Sequence, residues 1–334
     1  MSSGLNRAGI SKHAQELRRL WSGFQGSRVL FTANNYRIFD HLKKQKTAAS
    51  LAKDLGTDKR ATEILLDALT GLGLLNKQKK LYKNTATASE LLVSEKPFYQ
   101  GDIIRHASTL WDNWSGLDKT LKTGNPCQMS QNHEAFILAM HNLSVFKAKE
   151  VVRAIGLRDA RKALDLGGGP GTYAMEIAKK GIHVVLFDRP ETIRIARRVI
   201  NKTVPALKAR SRKWVKGIDF IRGDFIIDDI GNGYDIILIS QIFHAYPEKD
   251  NIGLLKKCRN ALNTNGRVVV QEFLIDEGRT RPAQSALFAV NMLVNTSGGR
   301  CYSQGEISEW CLKAGFKRTR KRFINDNILI TAEM

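Results

Sequence analysis

Two patterns of apolar and polar positions divide this chain. Through residue 95 apolar side chains recur every three or four positions, the spacing of amphipathic helices. In TAASLAKDLGTDKRATEILLDALTGLGLL, Thr47 stands as a cap, Leu51 and Leu55 share a face, and Gly56 ends the helix. Asp58 caps a second helix, whose Ile64, Leu65, Ala68, Leu69 and Leu72 form an apolar stripe closed by Gly71 and Gly73. LLNKQKKLYKNTATA reads as a short hairpin. Helix, turn, helix, hairpin is the order of a winged helix; a generic helical bundle is the plainer alternative.

Residues 98–123 and 131–156 read as two longer helices, separated at LKTGNP by the breakers Gly124 and Pro126. After residue 161 the pattern becomes strand–helix alternation. KALDL, HVVLFD, GIDFIRGDF, YDIILIS and GRVVVQEFL are apolar runs, with helices at 170–180, 190–202 and 248–262 between them. This predicts an α/β domain with a parallel sheet covered on both faces. ISEWCLKAGF then forms a helix, and KRTRKRFI and NILITAEM form an antiparallel pair at one sheet edge.

Composition adds limits. A chain of 334 residues, 43% hydrophobic and 25% charged, has the length and balance of a soluble protein with two domains and a large core. The N-terminus has no apolar signal core and no run reaches a membrane span, so no membrane partner is expected. Cys127, Cys258, Cys301 and Cys311 are scattered without metal-ligand spacing, which fits a reducing cytoplasm and no metal. The net charge of +21 is spread over both ends of the chain, with clusters at KKQK (43–46), KQKK (77–80) and KRTRKR (317–322). Solvated faces explain such clusters; a polyanion site is the alternative.

The stretch ALDLGGGPGTYAMEIAKKGIHVVLFD carries the chemistry. Its glycine turn follows a strand of a parallel sheet, where ligands bind beyond the carboxyl ends. A dinucleotide fingerprint needs a third glycine at 172, which is Thr; the chain has G-x-G-x-G through Gly171. The phosphate-cradling G-x-x-x-x-G-K-[ST] is absent, and the turn contains no Arg or Lys. Asp188 ends the second strand, where a carboxylate accepts both hydrogen bonds of a ribose diol. Gly223-Asp224-Phe225 end the third, offering an acid for an adenine amine and a ring for stacking. Together these fit a nucleoside-like ligand without phosphate, S-adenosylmethionine, which leaves as S-adenosylhomocysteine.

In YDIILISQIFHAYPEKDN the strand ends at Ser240, and His244 follows in the loop at the rim of the same cleft. An imidazole there can act as general base; a structural loop histidine is the alternative. Glu272, in the apolar GRVVVQEF, would face His244 and accept its N–H; an edge carboxylate paired with Arg is the alternative. The remaining histidines read as structural or solvated. The Pro-Cys-Gln at 126–128 matches the nucleophile of cytosine-5 methyltransferases, but it precedes the glycine turn and reads as a loop cysteine. A nucleic-acid-binding regulator with a ligand-sensing second half is a rival function. Its recognition helix, DKRATEILLDALTGLG, is too apolar to read bases, so nucleic acid is not the expected partner.

Across nearly its whole length, from residue 14 onward, the chain resembles class I small-molecule O-methyltransferases with an N-terminal winged-helix dimerisation domain. These include plant phenolic, acetylserotonin, and bacterial antibiotic and pigment enzymes. IFDHLKKQKTAASLAKDLGTDKRATEILLDALTGLGLL, NWSGLDKTLKTGNP, FILAM, LDLGGGPG, FDRPE, GDF, IFHAYPEKD, GRVVVQEF and LKAGF carry the resemblance. It implies a Rossmann-like seven-stranded methyltransferase sheet behind a mostly helical dimerisation domain. The implied divisions are 1–95 for pairing two protomers, 96–156 for linking helices that line the acceptor pocket, and 157–334 for the donor domain. It implies that Gly167, Gly168 and Gly169 hold the methionine portion, Asp188 the ribose, and Asp224 and Phe225 the adenine, with Ser240 touching the donor. His244 corresponds to the base and Glu272 to the acid that orients it, while Phe136, Met140 and Asn291 contact a small-molecule acceptor. Two departures stand out. The family's His-Asp-Trp is His244-Ala245-Tyr246 here, and Cys301 follows Gly298-Gly299-Arg300 where plant members carry a second acid. Pigment-pathway relatives also methylate carbon, so C-methylation of a tetrapyrrole-like pigment is the alternative activity.

Overall fold

Local caps fix the first helices. Thr47 Oγ1 accepts the Ser50 N–H at 3.1 Å, and Asp58 Oδ1 accepts that of Ala61 at 2.7 Å. Gly56 ends the intervening helix in the left-handed region, φ 65°. The computed structural model describes residues 7–127, 132–203 and 214–334, and the chain divides into two compact units, Met1–Ser108 and Thr109–Met334.

The first unit contains α1 (Arg7–Ser22), α2 (Phe24–Asn35), α3 (Ile38–His41), β1 (Lys46–Thr47), α4 (Ala48–Leu55) and α5 (Lys59–Gly71). β2 (Leu75–Gln78), β3 (Leu81–Asn84) and α6 (Ala86–Leu91) complete it. The strands form a small antiparallel sheet in the order β1-β3-β2. Phe39, Leu42, Leu51, Leu66, Leu69, Leu75 and Tyr82 fill the core. Part of the stripe read on α5 faces the core. Leu69 is buried and Leu65 packs against the core, joined by Thr62 and Leu66, whereas Ile64 and Leu72 are exposed. The helix has apolar residues around more than half its circumference, and spacing alone does not say where the buried face is centred. On α1 the apolar Leu17, Leu20 and Trp21 are exposed.

The division falls within α7 (Gly101–Ser115), and α8 (Leu117–Thr123), α9 (His133–Ser144) and α10 (Ala148–Ile155) follow. The two long helices read at 98–123 and 131–156 are thus four shorter ones, and residue 131 lies outside the described residues. Gly116 breaks the first of them. A Cβ there would lie 2.4 Å from Cys127 Sγ, so the chain turns closely against that thiol.

Alternation then begins with β4 (Lys162–Leu166), α11 (Thr172–Ala178), β5 (His183–Asp188), α12 (Pro190–Thr203), β6 (Ile218–Arg222) and β7 (Tyr234–Ser240). α13 (Glu248–Ala261), β8 (Leu262–Phe273), α14 (Ala283–Asn295), α15 (Gln304–Lys313), β9 (Arg318–Ile324) and β10 (Asn327–Glu333) end the chain. The seven strands lie in the order β6-β5-β4-β7-β8-β10-β9. The first five are parallel, and β10 runs antiparallel to both neighbours. β4 is therefore the switch point, with β5 on one side and β7 on the other. Successive residues of β4 serve opposite cores: Ala163 lies with Val184 and Ile236, Leu164 with Val185 and Ile237. Such strands need to be apolar throughout, which is how they read in the sequence. β9 is the outermost strand and carries the KRTRKR cluster.

Candidate active site

The carboxyl ends of β4, β5 and β7 border one cavity, together with α9, α11 and the loop after β7. Gly167, Gly168 and Gly169 line it, and the Gly167 N–H donates to Phe187 O at 2.9 Å, which ties the turn to the end of β5. Gly167 and Gly169 both have positive φ, 64° and 53°. A Cβ on Gly167 would meet Ile242 Cδ1 at 2.6 Å, whereas one on Gly169 would meet nothing within 4 Å. The Gly169 backbone thus faces open space where a ligand can approach it.

Asp188 is buried in the same wall. Its Oδ2 accepts the Gly169 N–H at 2.9 Å and its Oδ1 accepts the Arg189 N–H at 2.7 Å. Burial raises its carboxyl above the ordinary value, while the two N–H groups and the Thr192 hydroxyl pull the other way. With three donors on about four acceptor sites, the carboxylate keeps capacity for a further donor. Asp165, an acid inside apolar β4, was not singled out from the sequence. It lines the cavity fully buried, and burial pushes its carboxyl up to about 7. Its Oδ2 accepts the Ala174 N–H at 3.0 Å, while Oδ1 has no partner among the described residues. An orphaned buried oxygen, an open glycine backbone and a carboxylate with remaining acceptor capacity fit a nucleoside-bearing ligand.

Phe225 is buried in the wall, its ring 5.8 Å from that of Tyr246 in an edge-on arrangement. Asp224 is not in the wall. It is exposed, and its Oδ1 accepts the Ile226 N–H at 2.9 Å. Ser240 lines the cavity and donates to Gln271 Oε1 at 3.0 Å.

His244 lies in a single 3₁₀ turn, Phe243–Ala245, and lines the cavity. Asn251 fixes that turn by donating to Phe243 O and Tyr246 O at 3.0 and 3.1 Å. His244 Nδ1 is 2.8 Å from Oε2 of Glu272, which is 4% exposed on β8. The His244 backbone N–H donates to Oε1 of the same carboxylate at 3.3 Å. Phe288 meets the imidazole edge-on at 5.0 Å, and Phe273 lies 5.8 Å away. With Nδ1 committed to Glu272, Nε2 is the nitrogen left for a ligand. Cys301 is buried, donates to Ser285 O at 3.1 Å, and is pushed up to about 12 by burial, with Glu272 adding to the effect. It stands as a neutral thiol at the position after Gly298-Gly299-Arg300 where the resemblance to plant members would put a second acid.

Phe136 and Met140 line the cavity from α9, with Ile137 and Ser144 beside them. Asn291 does not. It sits on α14, where its Oδ1 accepts from Trp114 Nε1 and Asn295 Nδ2, both at 3.0 Å. The sequence reading also missed Tyr173, Thr192 and Gln241, which line the wall; Gln241 has φ 56°. The i, i+4, i+8 spacing of Phe136, Met140 and Ser144 was the signal available for α9. Cys127 lies outside the wall. Among the described residues no cluster of three or more His, Cys, Asp or Glu could hold a metal ion, and no helix is long and apolar enough to cross a membrane.

Residues 105–317 match the O-methyltransferase domain and residues 19–94 the O-methyltransferase dimerisation domain. The chain is 29% identical over 319 residues to the 3-hydroxy-5-methyl-1-naphthoate 3-O-methyltransferase of Streptomyces sahachiroi, covering 91% of this chain and 90% of that protein. It is 27% identical to the acetylserotonin O-methyltransferase of Mus musculus, covering 95% and 88%. PigF of Serratia sp., an S-adenosyl-L-methionine-dependent methyl transferase, is 28% identical over 318 residues, 89% of each chain. A solved structure of PigF with SAH superposes with a TM-score of 0.85 at 26% identity, covering 96% of this chain and 99% of that one. The seven-stranded sheet, the glycine turn at its switch point and these matches place the chain in the family of S-adenosylmethionine-dependent O-methyltransferases that carry an N-terminal dimerisation domain.

Proposed function

We propose that this enzyme methylates a hydroxyl on a small aromatic or polycyclic metabolite, with His244 as general base. One observation carries the reading: His244 lines the same cavity as the glycine turn and Asp188, and its Nδ1 is 2.8 Å from Glu272 Oε2. The donor supplies an electrophilic methyl group on a positively charged sulfur. Asp188 accepts the ribose hydroxyls, Phe225 covers the adenine, and Gly167, Gly168, Gly169 and Ser240 border the methionine portion. Asp224 shapes the turn that presents Phe225. Phe136 and Met140 hold the acceptor ring, and Asn291 braces α14, whose Phe288 packs on His244. A phenol with pKa about 10 is a weak nucleophile until its proton moves. Nε2 of His244 takes that proton as the methyl is transferred, and Glu272 stabilises the imidazolium, together worth roughly 10²–10⁴-fold. Cavity residues hold the two reactants in line, and no covalent enzyme intermediate is needed.

Relatives named for a hydroxynaphthoate and for acetylserotonin support a flat hydroxylated acceptor, and PigF with SAH supports the donor. The dimerisation-domain match and the exposed Leu17, Leu20 and Trp21 of α1 support a homodimer. We assign residues 1–95 to pairing, 96–156 to linking helices on the acceptor side and 157–334 to the donor domain. Four free cysteines fit a cytoplasmic setting.

A mass-spectrometric screen tests the activity. Purified protein with S-adenosylmethionine and a panel of hydroxylated naphthoates, indoles and polyketide aromatics should yield a product heavier by one methyl. The same incubation with His244→Ala should yield little or none. Methyl groups found on carbon by NMR would exclude the hydroxyl assignment. Sedimentation should give a dimer, and Trp21→Glu with Leu20→Glu a monomer; a wild-type monomer would remove the pairing role.

A further inference from the structure

The turn that follows β6 delivers Phe225 to the cavity, and its backbone is organised from outside the cavity by one side chain. Nζ of Lys257, on α13, donates to Phe225 O at 2.9 Å, Ile226 O at 2.8 Å and Asp228 O at 2.8 Å. An ammonium has three N–H donors, and all three meet carbonyls of this turn. Three carbonyl dipoles aimed at one point repel each other, so the conformation is unfavourable without a cation between them. Other contacts close the turn from within. Asp228 Oδ2 accepts the Asp224 N–H at 2.8 Å, and the Asp228 N–H donates to Asp224 O at 2.8 Å. A Cβ on Gly223 would lie 2.8 Å from Asp228 Oδ2, so the start of the turn is equally tight. The Phe225 ring closes on the glycine turn, 3.2 Å from where a Cβ of Gly167 would stand. Helix α13 itself is anchored independently: its Leu254, Leu255 and Cys258 are buried in the sheet core. Lys257 therefore hangs from a rigid support and reaches a segment made of turn.

We propose that Lys257 is a positioning residue for the donor, holding the 224–228 turn so that the Phe225 ring is already in place when the nucleoside binds. The proposal rests on the donor reading given above. It touches no reacting atom, so its effect is confined to donor affinity. Without the lysine the turn must be ordered at the moment of binding, and that ordering subtracts from affinity.

Titration calorimetry with S-adenosylhomocysteine tests this on the full-length protein, well below the melting temperature of each variant. Lys257→Met should weaken binding about tenfold, as loss of a charged hydrogen-bond donor commonly does. Lys257→Arg should recover part of that loss, since it restores the charge with a different geometry. A purely structural lysine would lower the melting temperature and leave the dissociation constant alone, and that outcome overturns the proposal. Should Lys257→Met not fold, Lys257→Arg decides alone: weakening of about threefold supports the role, and equality with wild type overturns it. Phe225→Ala separates the two readings. If Phe225→Ala binds weakly while Lys257→Met matches wild type, the lysine proposal fails and the donor site stands. If wild type does not bind S-adenosylhomocysteine, the donor site fails and the proposal falls with it.

Discussion

Glu272 meets both the ring and the backbone of His244: Oε2 lies 2.8 Å from Nδ1, and Oε1 accepts the backbone N–H at 3.3 Å. One carboxylate thus fixes the position of the turn and the tautomer of the imidazole. Both groups are nearly enclosed, with 12% and 5% of their side chains exposed, so water does little to screen them. Glu272→Gln keeps the shape and removes the charge beside His244 Nδ1. We expect turnover to fall by about 10–100-fold, with S-adenosylhomocysteine affinity within about twofold of wild type. Single-turnover kinetics with calorimetry check this. Equal losses in both would assign Glu272 to folding of the site instead.

Asp188→Ala should act on the other half of the reaction. It deletes the carboxylate that caps Gly169 and Arg189 and that we assign to the ribose. Donor affinity should fall by at least about tenfold, given the strength of hydrogen bonds to charged acceptors. Undiminished heat of S-adenosylhomocysteine binding would remove the ribose role.

Gly299→Ala tests how the turn that carries His244 is supported. The added Cβ would lie 2.3 Å from His244 O and 2.5 Å from Thr296 Oγ1. A backbone carbonyl must then move, at a cost of about 1–3 kcal/mol. Turnover should fall by about tenfold or more while S-adenosylhomocysteine binding is retained, because the displaced turn carries His244, the proposed base. A variant with wild-type kinetics would mean the turn relaxes without moving the imidazole.

Asp165 makes a prediction in pH. Its carboxyl stands at about 7 when folded and near 3.8 as a free side chain. Between those values the folded state keeps a proton that the unfolded state has released, so this group's contribution to stability falls as pH rises through the window. Asp165→Asn removes the titration and keeps an oxygen for the Ala174 N–H. Its stability relative to wild type should be greater at pH 8 than at pH 5, by on the order of 1–3 kcal/mol. Urea unfolding at the two pH values measures it; the same difference at both would contradict the buried proton.

Much of the site was legible because its residues stand at predictable places on a parallel sheet. Asp188, Ser240 and Glu272 lie at or near the ends of their strands, and a run of apolar residues ending in a polar one marks such a place. His244 and Glu272 could be paired because β7 and β8 are neighbours, with Ser240 opposite Gln271. Asn291 depends on a contact between distant segments: it is engaged by Trp114, 177 positions away, and no local pattern reveals that. Asp224 reads as an adenine ligand from its place after β6; it stands exposed outside the cavity wall, with one carboxylate oxygen accepting the Ile226 N–H of its own turn. Asp165 was visible as an acid in an apolar strand, and the signal was outweighed by the glycines beside it. On α5 the stripe is legible only in part: Leu69 enters the core and Leu65 packs against it, whereas Ile64 is exposed and Leu66 takes an inward place.

The outermost position of β9 bears on how far the sheet can grow. Among the described residues one side of that strand pairs with β10 and the other pairs with no strand. An unpaired strand edge can template the addition of a foreign strand, the first step of edge-to-edge aggregation. Arg318, Arg320, Lys321 and Arg322 stand exposed along it, with Arg318 and Arg320 reaching Glu333 on β10, so an added copy would crowd like charges at this edge. Basic side chains along an outer strand disfavour edge-to-edge pairing between copies, and the KRTRKR cluster stands where that effect applies.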